Sequence, residues 1–308
     1  MNICFVFPGQ GSQHVGMGKD IHDAFSAARE IFDQASETLR YDVASLCFSG
    51  PAEELNRTFR TQPCILTVSI AIHKVLDGKG VRPAVVAGHS LGEYSALVAA
   101  EAMSFADALK LTEKRGQFMQ DAVPEGKGLM AAILGMDRSR LEAICRNIKS
   151  GYVSPANYNC PGQVVIAGEK EAVEEAIELC RSSGAKRAVA LPVSVPSHCS
   201  LMEGASKKLA DILDTIPMKR PVIPFINNAD ASFLNDALAV KTSLTKQLNS
   251  PLLWEEMIQR IADSGVTTFL EAGPGKVLSG LIRRILPEAG VYHVEDGKSL
   301  ENTLRHIG

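Results

Sequence analysis

Two short apolar runs, each ending in a glycine-rich turn, most constrain the fold of this chain. Residues 3–7 (ICFVF) stop at a Pro-Gly pair, and residues 84–87 (AVVA) continue directly into GHSLG at 88–92. Short, continuously apolar runs of this kind are typical of strands that are buried on both faces. Helical patterns follow both runs. The alternation predicts an α/β fold in which helices cover both faces of a mostly parallel sheet.

The first part of the chain continues this alternation. We predict helices over 24–39, 65–76, 93–100 and 105–122 from the spacing of apolar residues. Ser104 and Asp107, three residues apart, resemble a capping box and set the start of the last of these helices.

The pattern changes after Pro124 and then changes back after Pro192. Between them the order is strand, helix, strand, strand, helix, strand, over 129–134, 139–149, 152–156, 163–167, 171–183 and 186–191. This βαββαβ order predicts a ferredoxin-like unit. Beyond it we predict strands near 222–226, 267–271 and 291–294 and helices near 200–214, 236–248, 252–264 and 276–285. The chain is therefore predicted to have one α/β core, residues 1–124 and 193–308, interrupted by an insert at 125–192.

Composition excludes several classes of protein. The net charge of −3, from 32 basic and 35 acidic residues, argues against a nucleic-acid-binding protein. The seven cysteines are widely spaced and form no C-x-x-C, so neither a disulfide framework nor a zinc site is expected. Free thiols suit a reducing compartment, which predicts a cytoplasmic location. Because no apolar stretch approaches about 18 residues, and the first residues lack a basic segment, we expect neither a membrane span nor a signal peptide.

The segment GHSLG at 88–92 carries the clearest chemical signal. It fits G-x-S-x-G and lies between a predicted strand and a predicted helix, which is the context of a nucleophile elbow. Glycines let strand and helix approach closely, so that Ser90 is exposed above the sheet and the Leu91 amide points into the site. A glycine-rich turn with a merely capping serine is the alternative.

A serine nucleophile needs a base, and the chain has seven histidines. His89 adjoins Ser90, and we expect it to hold the turn instead. His198 follows a predicted strand, precedes a predicted helix, and comes after the serine along the chain, as in many α/β hydrolases. His198 is therefore the leading candidate, although His14, in the first glycine-rich loop, stays open.

Arg115 lies on the inward face of its predicted helix. It shares the apolar stripe formed by Leu111, Phe118, Met119 and Ala122. Buried arginines need an anionic partner. That partner is either an internal Asp or Glu or a substrate carboxylate, which a guanidinium can bind with two parallel hydrogen bonds. The helix pattern alone does not decide between them.

Two further glycine-rich loops follow predicted strands. The loop FPGQGSQ at 7–13 lacks the spacing of a phosphate-binding loop, and it could instead supply a second oxyanion amide. The Gly-Pro-Gly at 273–275 is best interpreted as an ordinary strand-to-helix turn.

Taken together, these segments resemble the bacterial malonyl-CoA:acyl carrier protein transacylases over essentially the whole chain. The resemblance lies in FPGQGSQ (7–13), GHSLGE (88–93), KRGQFMQDAVPEG (114–126), SPANYNCPGQVVIAG (154–168), VSVPSHC (193–199), KQLNSP (246–251) and EAGPGKVL (271–278). It implies an α/β-hydrolase-like core with a ferredoxin-like insert, in agreement with the pattern above.

The resemblance also implies a mechanism and its residues. Ser90 would be the nucleophile, His198 its base, and Gln247 the residue that orients the imidazole. Gln10 and Leu91 would donate oxyanion amides, Arg115 would bind the malonyl carboxylate, and Asn157 and Asn159 would line the site. The implied partners are malonyl-CoA and an acyl carrier protein in fatty-acid or polyketide synthesis, with no metal or cofactor, and the implied state is a monomer.

Two other functions share parts of this pattern. A thioesterase or esterase would use the same serine and histidine but would release its product to water, and an inward arginine fits poorly with neutral acyl substrates. A non-catalytic carrier-binding module would form no acyl-serine adduct.

Overall fold

The computed structural model describes residues 2–193 and 195–307, so residue 194 of the quoted segment 193–199 lies outside the described residues. Ten strands are present in the described ranges: β1 Ile3–Phe7, β2 Val85–Gly88, β3 Gly128–Leu134, β4 Val153–Cys160, β5 Gln163–Glu169, β6 Arg187–Ala190, β7 Phe225–Ile226, β8 Phe233–Leu234, β9 Thr268–Ala272 and β10 Gly290–Val294.

The helices in the same ranges are α1 Lys19–Ala24, α2 Ser26–Leu39, α3 Val43–Ser49, α4 Ala52–Leu55, α5 Thr58–Gly78, α6 Gly92–Ala99, α7 Phe105–Ala122, α8 Arg138–Asn147, α9 Lys170–Ser182, α10 Glu203–Thr215, α11 Ala237–Asn249, α12 Trp254–Asp263, α13 Val277–Ile285 and α14 Gly297–Ile307. A single 3-10 turn, Ser200–Met202, leads into α10. None of these helices is both long enough and apolar enough to cross a membrane.

The larger sheet has six strands in the order β10-β9-β1-β2-β7-β8 and is parallel except at β8. Alternate residues of β1 face opposite ways: Phe5 and Phe7 pack in one apolar cluster, and Cys4 and Val6 pack in another. Both faces are therefore covered, as the apolar runs predicted. The carboxyl ends of β1 and β2 lie side by side, which brings the loop after Phe7 beside the GHSLG turn.

The smaller sheet is antiparallel, with the order β4-β5-β3-β6. Numbered within the unit, this order is 2-3-1-4, which is the arrangement of a ferredoxin-like fold. The α/β-hydrolase-like core with a ferredoxin-like unit is thereby confirmed as the fold class. The residue boundaries of the two domains stay a prediction. A parallel bridge between Asn157 and Leu252 joins β4 to the segment before α12.

Several predicted boundaries are confirmed, and others are wrong. Helix α7 spans Phe105–Ala122 as predicted, and the Ser104 hydroxyl accepts the Asp107 N–H at 3.1 Å. The helix predicted over 65–76 instead begins at Thr58 and contains Pro63, because nearly every residue of its first half is buried and packing outweighs the proline. The helix predicted over 24–39 is interrupted at Phe25, where the backbone is extended. The sequence analysis did not predict α1, α3, α4 or α14. Helices α1, α3 and α4 have only 6, 7 and 4 residues, too few to show a helical period, whereas α14 spans 11 residues.

Candidate active site

The turn between β2 and α6 holds Ser90 in a constrained conformation. Its φ of 53° lies in the left-handed region, which is uncommon for a residue other than glycine. A side chain at Gly92 would overlap the Phe7 carbonyl, so the turn passes against β1 only because that residue is glycine. The Ser90 N–H donates to Asn228 Oδ1 at 2.7 Å, and Asn228 Nδ2 donates to the Gly88 carbonyl at 2.7 Å. Asn228 thus holds both sides of the turn.

His198 lies within hydrogen-bonding distance of the serine. Ser90 Oγ and His198 Nε2 are 2.8 Å apart, and His198 Nδ1 is 2.8 Å from the backbone carbonyl of Gln247. Since a carbonyl only accepts, Nδ1 carries the proton and Nε2 is left to accept the serine hydroxyl proton. Gln247, the residue predicted to orient the imidazole, contacts it through its main-chain carbonyl and not through its side chain.

The environment of His198 favours the neutral imidazole. Burial, and after it the nearby positive charge of Arg115, lower the pKa of His198 from 6.5 to about 3, although the hydrogen bond to the Gln247 carbonyl acts in the opposite direction. No carboxylate within the described ranges pairs with the ring. The ring is thus a base whose protonated form receives little stabilisation.

Arg115 is 1% exposed and lies behind the serine. Its Nη1 donates to Gln62 Oε1 at 2.8 Å, and its Nη2 donates to Gln247 Oε1 at 2.9 Å and to Ser90 Oγ at 3.1 Å. Among residues 2–193 and 195–307, no Asp or Glu forms an ion pair with it, and its Nε has no acceptor. Burial lowers the pKa of Arg115, although a guanidinium remains charged. The internal salt bridge that the helix pattern left open is thus absent from the described structure.

Glu93 was not singled out from the sequence, although it ends the quoted GHSLGE segment. It is fully buried; Oε1 accepts the backbone N–H of Asn228, and Oε2 accepts the Nε2 group of Gln247. Burial raises the pKa of Glu93 to about 8, opposed by those two hydrogen bonds and by the charge of Arg115. An apolar helical pattern around Glu93 would have been the only sequence signal that this carboxylate is buried.

The two predicted oxyanion amides are both without acceptors in the described structure. The backbone N–H groups of Gln10 and Leu91 donate to none of the described residues, whereas the neighbouring amides of Ser90 and Gly92 are both paired. Buried amides usually have partners, so free amides beside a nucleophile are suited to an incoming oxygen. The Gln10 side chain donates to Thr58 Oγ1 at 3.3 Å.

A cavity of about 100 Å³ opens at the serine. Among the residues that line it are Gln10, Ser90, Asn157 and His198, together with the apolar side chains Met119, Met130, Val165, Leu191, Val193 and Val195. Asn157 Oδ1 is buried there without a partner among the described residues. A larger cavity, of about 750 Å³, contains none of these side chains and is lined instead by residues of α2, α5 and α7.

Asn159 and His14, both considered in the sequence analysis, do not line the cavity at Ser90. Asn159 Oδ1 is 3.0 Å from His89 Nε2 and does not line the cavity, so its side chain holds His89, whose ring also packs edge-on against Trp254. His14 is exposed, with its Nδ1 3.4 Å from the Ser12 carbonyl. The expectation that His89 holds the turn agrees with these contacts.

The model of the acyl transferase domain family matches residues 4–301, nearly the whole chain. The chain belongs to the acyl transferase domain family. Among curated relatives, the malonyl CoA-acyl carrier protein transacylase of Escherichia coli strain K12 is 51% identical over 286 residues, which cover 92% of this chain and 93% of that protein.

Solved members of the acyl transferase family have the same fold. A malonyl-transacylase in complex with a type II PKS acyl carrier protein superposes with a TM-score of 0.97 at 47% identity, covering 99% of both chains. An acyl carrier protein S-malonyltransferase from Vibrio cholerae gives a TM-score of 0.96 at 48% identity, covering 98% of this chain and all of the other.

Within this acyl transferase, the structure brings together Ser90, His198, Arg115 and Gln247 directly. Gln10 and Asn157 adjoin Ser90 and His198 at the cavity, and Leu91 follows Ser90 in the turn. The sequence analysis did not single out Gln62, Glu93 or Asn228, which supply the hydrogen bonds behind the serine, because their partners lie far away along the chain.

Proposed function

We propose that this chain is a malonyl-CoA:acyl carrier protein S-malonyltransferase. It would take the malonyl group from malonyl-CoA onto Ser90 and pass it to the phosphopantetheine thiol of an acyl carrier protein. Fatty-acid or polyketide chain elongation would consume the product. The relatives named above carry this activity in their names, and the site has the groups that the reaction needs.

The observation that carries the substrate assignment is the unpaired charge of Arg115 beside the nucleophile. Its donors are bound to neutral oxygens of Gln62, Gln247 and Ser90, and its Nε is free within the described structure. A buried guanidinium without a carboxylate in direct contact is costly. A substrate that brings its own carboxylate to the serine, as a malonyl thioester does, would remove that cost at the moment of binding.

Acylation would proceed in the proposed mechanism as follows. His198 Nε2 takes the proton of Ser90 while Oγ attacks the thioester carbonyl. The amides of Gln10 and Leu91 hold the resulting oxyanion, each contributing about 3 kcal/mol by comparison with other oxyanion holes. The carbon–sulfur bond then breaks, and His198 gives its proton to the departing thiolate of coenzyme A.

Transfer to the carrier would reverse these steps with a different thiol. His198 removes the proton of the phosphopantetheine thiol, sulfur attacks the malonyl ester, and Ser90 leaves with the proton returned. A neutral carbonyl as the orienting group stabilises imidazolium less than a carboxylate would. Thiols are intrinsically strong nucleophiles, so this weaker base suits transfer to sulfur more than hydrolysis. Exchange of one thioester for another requires neither metal nor redox cofactor.

The proposal extends to the setting of the enzyme. We infer a monomer acting in the cytoplasm, without nucleic-acid or membrane partners. The seven cysteines are all free and buried, which agrees with a reducing compartment. We retain the division into a core, residues 1–124 and 193–308, and an insert, residues 125–192, with the site between them.

The experiment is intact-protein mass spectrometry of the wild type and of Ser90→Ala after incubation with malonyl-CoA, followed by addition of holo acyl carrier protein. The expected result is one malonyl adduct on the wild type, no adduct on Ser90→Ala, and transfer of the adduct to the carrier.

Three outcomes would contradict the proposal. A malonyl adduct on Ser90→Ala would exclude this nucleophile. Release of free malonate at an equal rate with and without the carrier would indicate a thioesterase. Absence of any adduct on the wild type would indicate a non-catalytic module.

A further inference from the structure

Glu93 connects Asn228, which holds the serine turn, with Gln247, which contacts Arg115. One oxygen accepts from Asn228, which holds the backbone on both sides of Ser90. The other accepts from Gln247, whose own amide oxygen accepts from Arg115. The serine turn and the arginine meet directly at Ser90 Oγ, and this buried carboxylate joins their supporting residues as well.

The orientation of the Gln247 side chain depends on Glu93. Its Nε2 group donates to Glu93 and to the Ser90 carbonyl at 2.9 Å, so both neighbours on that side are acceptors. The amide oxygen must then face the other way, toward Arg115 Nη2. If the amide were reversed, its NH₂ group would face the guanidinium, donor against donor, and its oxygen would face the Ser90 carbonyl, acceptor against acceptor.

Glu93, when it is ionised, also places a negative charge on the far side of Gln247 from Arg115. The guanidinium contacts only neutral acceptors, and the amide of Gln247 lies between it and the Glu93 carboxyl group. Direct pairing would occupy the donors that a substrate carboxylate needs. A carboxylate one residue removed polarises the amide while leaving the arginine available.

We propose that Glu93 is a positioning residue that fixes the amide of Gln247, and thereby aims Arg115 at the acyl carboxylate, while its second oxygen fixes the Ser90 turn through Asn228. This inference rests on the proposed malonyl transfer and adds the residue that determines selectivity for a carboxylate-bearing acyl group.

Glu93→Gln separates the two functions of the carboxylate. An amide offers one acceptor and one donor where the carboxylate offered two acceptors. The Asn228 N–H belongs to the backbone and cannot reverse, so the oxygen of the new amide stays with Asn228 and its NH₂ group faces Gln247. Gln247 must then turn, which deprives Arg115 of an acceptor and the Ser90 carbonyl of a donor, while the two hydrogen bonds of Asn228 still hold the serine turn.

The expected result is a loss of selectivity. We expect kcat/KM for malonyl-CoA to fall about ten- to hundredfold in Glu93→Gln, mainly through KM, while slow acetyl transfer from acetyl-CoA changes less than about threefold. Asn228→Asp keeps the acceptor for the Ser90 N–H but places a carboxylate oxygen against the Gly88 carbonyl, where the wild type has a donor. That variant should lower malonyl and acetyl transfer equally.

The matched control is Glu271→Gln, which makes the same change at another fully buried glutamate, one that accepts two backbone amides of α13. Its malonyl-to-acetyl ratio should equal that of the wild type, measured per folded molecule. If Glu93→Gln does not fold, Gln247→Met is measured in its place. This variant removes the amide that lies between Glu93 and Arg115, and it should give the same selective loss of malonyl transfer.

Equal loss of malonyl and acetyl transfer in Glu93→Gln, or an unchanged ratio, would overturn the inference, as would a selective loss in Asn228→Asp. The wild type in the same series keeps this failure distinct from failure of the proposed function. If the wild type forms no malonyl-Ser90 adduct, the function itself is wrong.

Discussion

The turn at 88–92 and the turn at 273–276 both join a buried strand of the parallel sheet to a helix, yet they differ at the backbone amides. At the start of α13, Glu271 accepts the N–H groups of Leu278 and Ser279 at 3.1 and 2.7 Å. At the start of α6, the Leu91 amide has no acceptor within the described residues. The N-terminus of a helix attracts negative charge. The Glu271 carboxylate accepts the helix amides at the second turn, whereas at the first turn the Leu91 amide is left for another acceptor.

The same two turns differ in how they accommodate left-handed backbone. At the second turn the residues with positive φ are glycines, Gly273 at 150° and Gly275 at 78°. At the first it is Ser90, and the hydrogen bonds of Asn228 hold it there. The comparison indicates what makes a strand-to-helix turn reactive. Surrounding side chains hold the nucleophile in a strained backbone conformation, and a neighbouring backbone amide is left without an acceptor.

Removal of the base gives the largest expected effect. His198→Ala should lower the rate of Ser90 acylation by malonyl-CoA about 10²- to 10⁴-fold, because the hydroxyl loses its only base and the first turn becomes as inert as the second. Single-turnover mass spectrometry measures this rate. His306→Ala, at an exposed histidine of α14, serves as control; a normal acylation burst in His198→Ala would refute the assignment.

A methyl group at Gly92 should break the first turn itself. Gly92→Ala places a side chain against the Phe7 carbonyl, so strand and helix must move apart. We expect the free energy of unfolding to fall by about 3 kcal/mol, with loss of Ser90 labelling. Urea denaturation measures the first effect and intact mass the second. Near-wild-type stability would show that the turn tolerates a wider approach.

The stability of the protein should depend on pH through Glu271, the carboxylate at the second turn. Burial raises the pKa of Glu271 from 4.5 to about 7. A carboxyl that binds its proton more tightly when folded stabilises the protein most at acidic pH, and this contribution is lost as the pH rises from about 4.5 through about 7. The loss is at most about 3 kcal/mol.

Glu271→Gln lacks this titration. The difference between the urea midpoints of the wild type and the variant should therefore shrink as the pH rises through that range, because the wild type alone loses stability. A constant difference across the range would contradict the raised pKa.

The smallest expected effect lies in the helix after the second turn. Gly280 is inside α13, and a side chain added there meets nothing within 4 Å. Gly280→Ala should raise the free energy of unfolding by about 0.5–1 kcal/mol, since alanine loses less entropy in a helix. The contrast with Gly92→Ala, measured by the same urea titration, tests whether the first turn is set by close packing; destabilisation by both variants would weaken that contrast.

The local sequence determined those features that depend on residues close to one another along the chain. The alternation of apolar runs and helices predicted the parallel sheet, the Ser104–Asp107 pair set the start of α7, and the G-x-S-x-G spacing located Ser90. The spacing of apolar residues around Arg115 also predicted that its side chain is buried. Each of these depends on neighbours within a few residues, whose geometry a helix or strand fixes.

The tertiary structure alone decided which groups meet Arg115 and which group holds His198. The helix pattern left the partner of Arg115 open between an acid and a substrate, and packing placed Gln62 and Gln247 there instead. His198 is held by a backbone carbonyl, which every residue possesses and no side-chain pattern can indicate. Glu93 reaches Asn228 and Gln247 from far along the chain because the sheet order brings those segments together. Such contacts are set by the global packing of the helices and strands, so only the folded chain contains them.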